Sequence, residues 1–176
     1  MSELLIGCGS SREKRICFEG MPKTWTELVT LDNNEAHKPD IVADLNNPYA
    51  LAKLPDDRFD EIHAYEVLEH IGKQGDWYGF FKEFERYWRI LKPGGLLCAT
   101  VPGYKSLWAW GDPSHTRIIN IGTLTFLSQK MYTDQVGKTA MSDFRHVYKA
   151  DFDLAWAEDT DESFSFALQA IKPARR

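Results

Sequence analysis

The sequence predicts an α/β domain, a mostly parallel sheet that closes in an antiparallel hairpin. Three observations carry this class. Short apolar runs recur through the first half of the chain with little between them, as strands covered on both faces read. One strongly amphipathic helical segment stands between the fourth and fifth runs. The last two segments alternate apolar and polar residues with period two.

Taken in order, "LLIGCGSS" (Leu4 to Ser11) is a buried strand stopping in a Gly-x-Gly turn, where the backbone must pass close to something. An irregular segment follows from Ser10 to Glu27, holding Gly20 and Pro22. "ELVTLD" (Glu27 to Asp32) is a second strand ending on a carboxylate, and "DIVADL" (Asp40 to Leu45) repeats that design as a third. "FDEIHAY" (Phe59 to Tyr65) is a fourth, after the turn "LPDDR". In "DWYGFFKEFERYWRILKPGG", Trp77, Phe80, Phe81, Phe84, Trp88 and Leu91 share one helical face, with Lys82, Glu83, Glu85, Arg86 and Arg89 on the other. Asp76 caps this helix, Lys92-Pro93-Gly94-Gly95 ends it, and its aromatic stripe is core. "LLCATV" (Leu96 to Val101) is a fifth strand.

From Pro102 to Lys149 the chain is aromatic and turn-rich, with one short amphipathic helix around Ile121 to Gln129. It is too long for a mere connection, which suggests a lid or substrate-facing insertion. "DFDLAWAED" and "ESFSFALQAIK" then form the hairpin, with Phe152, Leu154 and Trp156 alternating in one and Phe164, Phe166 and Leu168 in the other. This gives the sheet one antiparallel edge strand.

Residues 1–176 are read as one domain: a ligand-binding body at about 3–102, the insertion at about 103–149 and the hairpin at about 150–172. With 21 basic against 26 acidic residues and a net charge of −5, nothing draws the chain onto a nucleic-acid backbone or an anionic membrane. Cys8, Cys17 and Cys98 lack metal or redox spacing, and there is no signal peptide or membrane-length apolar run. A cytoplasmic protein is expected.

Ligands on such sheets sit beyond the carboxyl ends of the strands, which gathers Gly7, Gly9, Asp32, Asp44, Tyr65 and Glu66 at one rim. A dinucleotide site wants a third glycine leading into a helix that faces a pyrophosphate, but Arg12 stands at that position. Asp32, 23 positions after Gly9, still suits ribose hydroxyls. The rim therefore suits a nucleoside without pyrophosphate, among carboxylates that tolerate a positive charge. A plain tight turn at the glycines and water-facing carboxylates at Asp32 and Asp44 are the structural alternatives.

In order and spacing, "LLIGCGSS", "LVTLD", "DIVADL", "FDEIHAYEVLEHI" and "LKPGGLLCATVP" resemble the class I S-adenosylmethionine-dependent methyltransferases. The chain is similar to short methyltransferase-like proteins of phages and bacteria that share "GDPSHTR" after the fifth strand. The resemblance implies a Rossmann-like, minimal class I fold and S-adenosyl-L-methionine as cofactor. It implies that Gly7, Cys8 and Gly9 line the methionine and ribose side and that Asp32 holds the ribose hydroxyls. Asp44 and Leu45 would border the adenine and Tyr65 and Glu66 flank the methionine end, with Asn33 also among the cofactor-binding residues. Two departures bear on cofactor affinity: the first long helix is broken, and the helix between strands two and three shrinks to "NNEAHKP".

Methyl transfer from a sulfonium mainly requires positioning, and a base only where the acceptor loses a proton. His115 is the candidate base with Asp112 orienting it; the alternative is that His115 and Arg117 anchor the insertion. Glu66, Glu69 and His70, joined by His115, resemble the metal-ligand set of some O-methyltransferases. Leu-Glu-His also occurs at this spot where it caps or orients a helix, and no metal is expected. The chain lacks both an Asn/Asp-Pro-Pro-aromatic turn for a flipped base and a Pro-Cys nucleophile. The expected acceptor is a small molecule or another substrate that is not a DNA base, with no DNA or membrane partner and no oligomeric state specified. Tyr104, Trp108 and Trp110 supply an apolar or sugar-stacking wall, or lid core. An NAD-dependent oxidoreductase or epimerase and a non-catalytic module are the competing functions.

Overall fold

The computed structural model describes residues 1–18 and 21–175; Gly20 lies outside them. Seven strands form one sheet in the order β3-β2-β1-β4-β5-β7-β6. These are β1 (Ser2–Ile6), β2 (Glu27–Asp32), β3 (Ile41–Val42), β4 (Phe59–Tyr65), β5 (Leu91–Pro102), β6 (Phe152–Asp159) and β7 (Ser163–Ala170). The first five pair in parallel, and β7 pairs antiparallel with both β5 and β6. The antiparallel strand thus lies inside the sheet, between β5 and β6, and is not its edge.

Side chains alternate across the central strands, which separates two cores. Leu4, Ile6, Ile62 and Ala64 join the larger core, where the helix α1 (Trp77–Ile90) packs Phe80, Phe81, Phe84, Tyr87 and Ile90. Asp76 caps α1 as predicted, accepting a hydrogen bond from the Gly79 amide at 3.0 Å. The buried stripe is rotated from the predicted one. Trp77 is 47% exposed, whereas Glu83, assigned to the polar face, is buried. Arg117 explains this, because its Nη1 lies 3.1 Å from Glu83 Oε2 and the Tyr87 hydroxyl donates to Oε1 at 2.9 Å.

On the other face, Leu5, Cys8, Tyr65, Cys98 and Ala167 are covered by Ile16, Phe18, Trp25 and Trp156. Here no helix is assigned among the described residues between β1 and β2. A strap held by side chains takes its place. Lys14 bridges Glu3 at 3.0 Å and Glu61 at 2.7 Å, all three being buried. Glu3 also accepts from the Thr26 and Glu27 amides at 2.7 and 3.1 Å. The Tyr65 hydroxyl accepts from the Arg15 and Ile16 amides, so its proton goes to His63 Nδ1 at 2.6 Å. His63 Nε2 then donates to Glu61 at 2.7 Å.

Three further elements differ from the sequence prediction. The third strand is only Ile41–Val42, because the Asp40 carboxylate takes the Thr30 amide and hydroxyl at 2.8 and 2.7 Å and Asp44 opens a turn by accepting from the Asn46 amide. Lys92-Pro93-Gly94-Gly95 does not separate α1 from the strand, since β5 starts at Leu91. The helix predicted around Ile121 to Gln129 breaks at residues 126–128, leaving α3 (Ile121–Thr125) and α4 (Gln129–Gln135), each with its own cap, Asn120 and Ser128. A further short helix, α2 (Leu107–Gly111), begins the insertion.

Candidate active site

The carboxyl ends of β1, β2 and β4 frame an open cleft of about 230 Å³. Its walls are Gly7, Leu31, Asp32, Asn33, Ala43, Asp44, Leu45, Asn46, Glu66, Val67, His70 and Ile71. Of the predicted cofactor residues, Gly7, Asp32, Asn33, Asp44, Leu45 and Glu66 come together here. Cys8 and Tyr65 instead turn their side chains into the strap-side core, so only their backbone is on offer. Gly9 meets the cleft through Asp32.

The glycine turn is shaped by what touches it. Gly7 has φ +59°, and a Cβ built on it falls 2.3 Å from Val67 Cγ2. Gly9 has φ +51° with nothing within 4 Å of such a Cβ. The first glycine is thus fixed by fold and packing together, whereas only its backbone conformation favours the second. Arg12, in place of a third glycine, is spent on bracing: Nη1 donates to the Gly9 carbonyl at 2.6 Å and Nη2 to His37 at 2.8 Å.

Asp32 ends β2 nearly buried, at 7% exposure. The Gly9 amide donates to Oδ2 and the Asn34 amide to Oδ1, each at 2.8 Å. Two backbone donors leave lone pairs on both oxygens, enough for a vicinal diol. Leu31, Leu45, Val67 and Ile71 give apolar walls, while Asp44 and Glu66 add negative charge. Glu66 holds φ +57°, a costly conformation for a residue with a Cβ, and its amide donates to the Thr100 carbonyl at 2.9 Å. These donors and walls fit adenosine with a cationic sulfur.

Beside the cleft, Leu68–His70 form a single 3-10 turn. The Glu69 carbonyl accepts from the Thr116 and Arg117 amides at 2.9 and 3.2 Å, knitting the insertion to this turn. The Glu69 side chain is buried, with neither carboxylate oxygen hydrogen-bonded. Burial, with the charges of Glu66 and Asp112 adding to it, pushes its carboxyl up to about 8. His115 does not use Asp112 as the sequence predicts. Its Nδ1 lies 2.9 Å from the Trp108 carbonyl, and Asp112 Oδ2 stands 3.7 Å from Nε2, on the other side of the ring. Tyr104, Trp108 and Trp110 are 42%, 64% and 72% exposed and so are not lid core.

Val67, Ile71 and Asn46 belong to the cleft although sequence reasoning passed over them, and His70, which the sequence singles out only beside Glu69, lines it too. Their signal was position alone: each adjoins or lies within a turn that directly follows an identified strand or motif.

A parallel sheet with an antiparallel β7, an acid ending β2 and a cleft rich in carboxylates define a class I methyltransferase. A family model described as "Methyltransferase domain" matches residues 4–99, and the chain belongs to that family. It is an S-adenosylmethionine-dependent methyltransferase. No curated protein matches it in sequence. Among solved structures it resembles a SAM-dependent methyltransferase from Archaeoglobus fulgidus at 15% identity, with TM-score 0.58 over 96% of this chain and 85% of that one. One from Mesorhizobium loti gives 16% identity and TM-score 0.54 over 96% and 90%. The N-methyltransferase NodS from Bradyrhizobium japonicum, solved with S-adenosyl-L-homocysteine, gives 15% and 0.56 over 96% and 77%. At these identities the likeness is one of fold.

Proposed function

We propose that the chain transfers a methyl group to a small molecule or another substrate that is not a DNA base, and that it works in the cytoplasm. The observation carrying the cofactor side is the composition of the cleft: three carboxylates and no Lys or Arg among its twelve described wall residues. A pyrophosphate would meet uncompensated negative charge there, so an NAD-dependent reaction is disfavoured. A sulfonium would be stabilised.

In this assignment Asp32 takes the ribose hydroxyls, and Gly7, Cys8 and Gly9 present backbone along the ribose and methionine. Asn33, Asp44 and Leu45 border the adenine, while Glu66 and the Tyr65 backbone flank the methionine end. The cofactor supplies a methyl carbon already activated by positive sulfur. The protein's task is then to orient the acceptor and exclude water. We assign His115 and Asp112, on the insertion beside the turn after β4, to the acceptor end of the site. The exposed wall of Tyr104, Trp108 and Trp110 suits a substrate with an apolar or sugar face. No helix among the described residues is long and apolar enough to cross a membrane, and all three cysteines are unpaired, in keeping with that setting.

Calorimetry with S-adenosylhomocysteine tests the cofactor side. Asp32→Ala removes two charge-assisted hydrogen bonds worth about 1.5–3 kcal/mol each, so affinity falls at least about a hundredfold. No heat from wild-type protein, or tight NADH binding, would overturn the assignment. Transfer of a labelled methyl group to a component of a cell extract identifies the acceptor class, and its absence from every fraction would favour a non-catalytic module.

A further inference from the structure

We propose that Glu69, His70 and His115 form a binding site for one divalent first-row transition-metal ion, with Asp112 as its fourth protein donor. The site lies where the turn after β4 meets the insertion after β5. It stands independently of the cofactor assignment, although His70 also lines the cleft.

The first support is geometric. One ligand atom each from Glu69, His70 and His115 lies within 4.8 Å of the others. His70 Nε2 and His115 Nε2 both stand 3.9 Å from Glu69 Oε1. That is too long for a hydrogen bond, yet within about an ångström of the spacing that two ligands adopt when each is about 2.1 Å from one ion.

The second support is the state of the donors. His70 Nδ1 faces the Ser114 carbonyl at 3.2 Å and His115 Nδ1 faces the Trp108 carbonyl at 2.9 Å. A carbonyl only accepts, so both rings carry their proton on Nδ1. In the neutral ring this aims the Nε2 lone pair at Glu69. Backbone partners that fix tautomer and ring plane in this way are the outer support of metal-binding histidines.

The third is a missing counter-charge. The Glu69 side chain is 3% exposed, and both of its oxygens lack hydrogen bonds. No Lys or Arg pairs with it among the described residues, since Arg117 is committed to Glu83. Once ionised, a carboxylate buried beside two imidazole lone pairs is stabilised by a cation among them. Asp112 Oδ2, 3.7 Å from His115 Nε2, would complete a mixed nitrogen and oxygen donor set. Glu66, which the sequence grouped with these residues, lines the cofactor cleft and adds its negative charge beside Glu69. Two imidazoles with carboxylates select manganese to zinc over magnesium or calcium.

The tag-free, chelator-treated full chain is titrated with cobalt(II), following visible absorption, and with zinc(II) by calorimetry. One equivalent of each is expected to bind. His70→Ala, His115→Ala and Glu69→Gln, each checked by circular dichroism for a retained fold, should weaken binding at least about tenfold. A variant that does not fold is set aside and the other two decide. Absence of stoichiometric binding to the wild type overturns the proposal, as does binding that every folded variant retains. S-adenosylhomocysteine titrated into the same metal-free protein reports the cofactor site separately, so failure of one assignment is not mistaken for failure of the other.

Discussion

Gly7→Ala probes whether the turn after β1 is fixed by backbone conformation, by packing, or by both. Two costs can be read from the geometry. At φ +59° an alanine pays for a left-handed backbone, roughly 1–2 kcal/mol. Its Cβ would also stand 2.3 Å from Val67 Cγ2, where ordinary contact begins at 3.4 Å, an overlap of 3.4 − 2.3 = 1.1 Å. Relieving such an overlap in a packed region costs about 1–3 kcal/mol. The single variant should thus lose about 2–5 kcal/mol. Val67→Ala alone loses about 1.6 kcal/mol for two methyl groups. In the double variant both γ carbons are gone and the nearest atom becomes Val67 Cβ at 3.2 Å, so the overlap shrinks to a few tenths of an ångström. The pair should then be about 1–2 kcal/mol more stable than the sum of the singles predicts. Urea unfolding of the four proteins at constant pH measures this. Strict additivity, or a Gly7→Ala variant as stable as wild type, would refute the packing account.

Two other perturbations test the parts that hold this turn and the insertion in place. Burial pushes the Glu3 and Glu61 carboxyls up, but Lys14 and the hydrogen bonds they accept outweigh it, and both end below the usual 4.5. Their contribution to stability is therefore full above that value and lost as pH falls through the lowered ones. Lys14→Met should cost about 3–5 kcal/mol near neutral pH, with the gap to wild type narrowing toward about pH 4; a gap in urea midpoints that does not narrow contradicts the network. Arg117→Met takes the counter-charge from Glu83, whose carboxyl is already pushed up to about 7 by burial, so its cost is largest well above that pH and shrinks as Glu83 takes a proton below it. Hydrogen exchange should then quicken at the Gln74 and Ile118 amides, which donate to the Thr116 carbonyl and the Gln74 side chain. Unchanged exchange there would show that Arg117 does not tie the insertion down.

Much of this molecule was legible in its sequence because the signals were local. β2 and β4 have the predicted bounds, since each is a continuous β-rich run ending in a turn. Asp32 was legible for the same reason: it ends a strand at a fixed distance from the glycine turn. Contacts between distant residues were not. Alternation in "FDEIHAY" marks a strand, but nothing local says that Glu61 and His63 are buried beneath Lys14 and Tyr65. The third strand looked longer because Asp40 serves Thr30 through its side chain. In the insertion, sequence spacing put Asp112 beside His115. Which ring nitrogen it approaches depended on the Trp108 carbonyl, seven residues away.

The strap between β1 and β2 changes how this chain tolerates mutation. A covering helix spreads its hold over many repeating backbone bonds, so most of its surface positions drift freely. Here much of that hold falls on Lys14, Trp25 and Tyr65, which fasten a strap with no assigned helix among its described residues to the sheet. A saturation mutagenesis profile of the strap should show sharp intolerance at Lys14 and Trp25 beside permissive neighbours such as Ser11 and Glu13, without the broad helical periodicity of a covering helix.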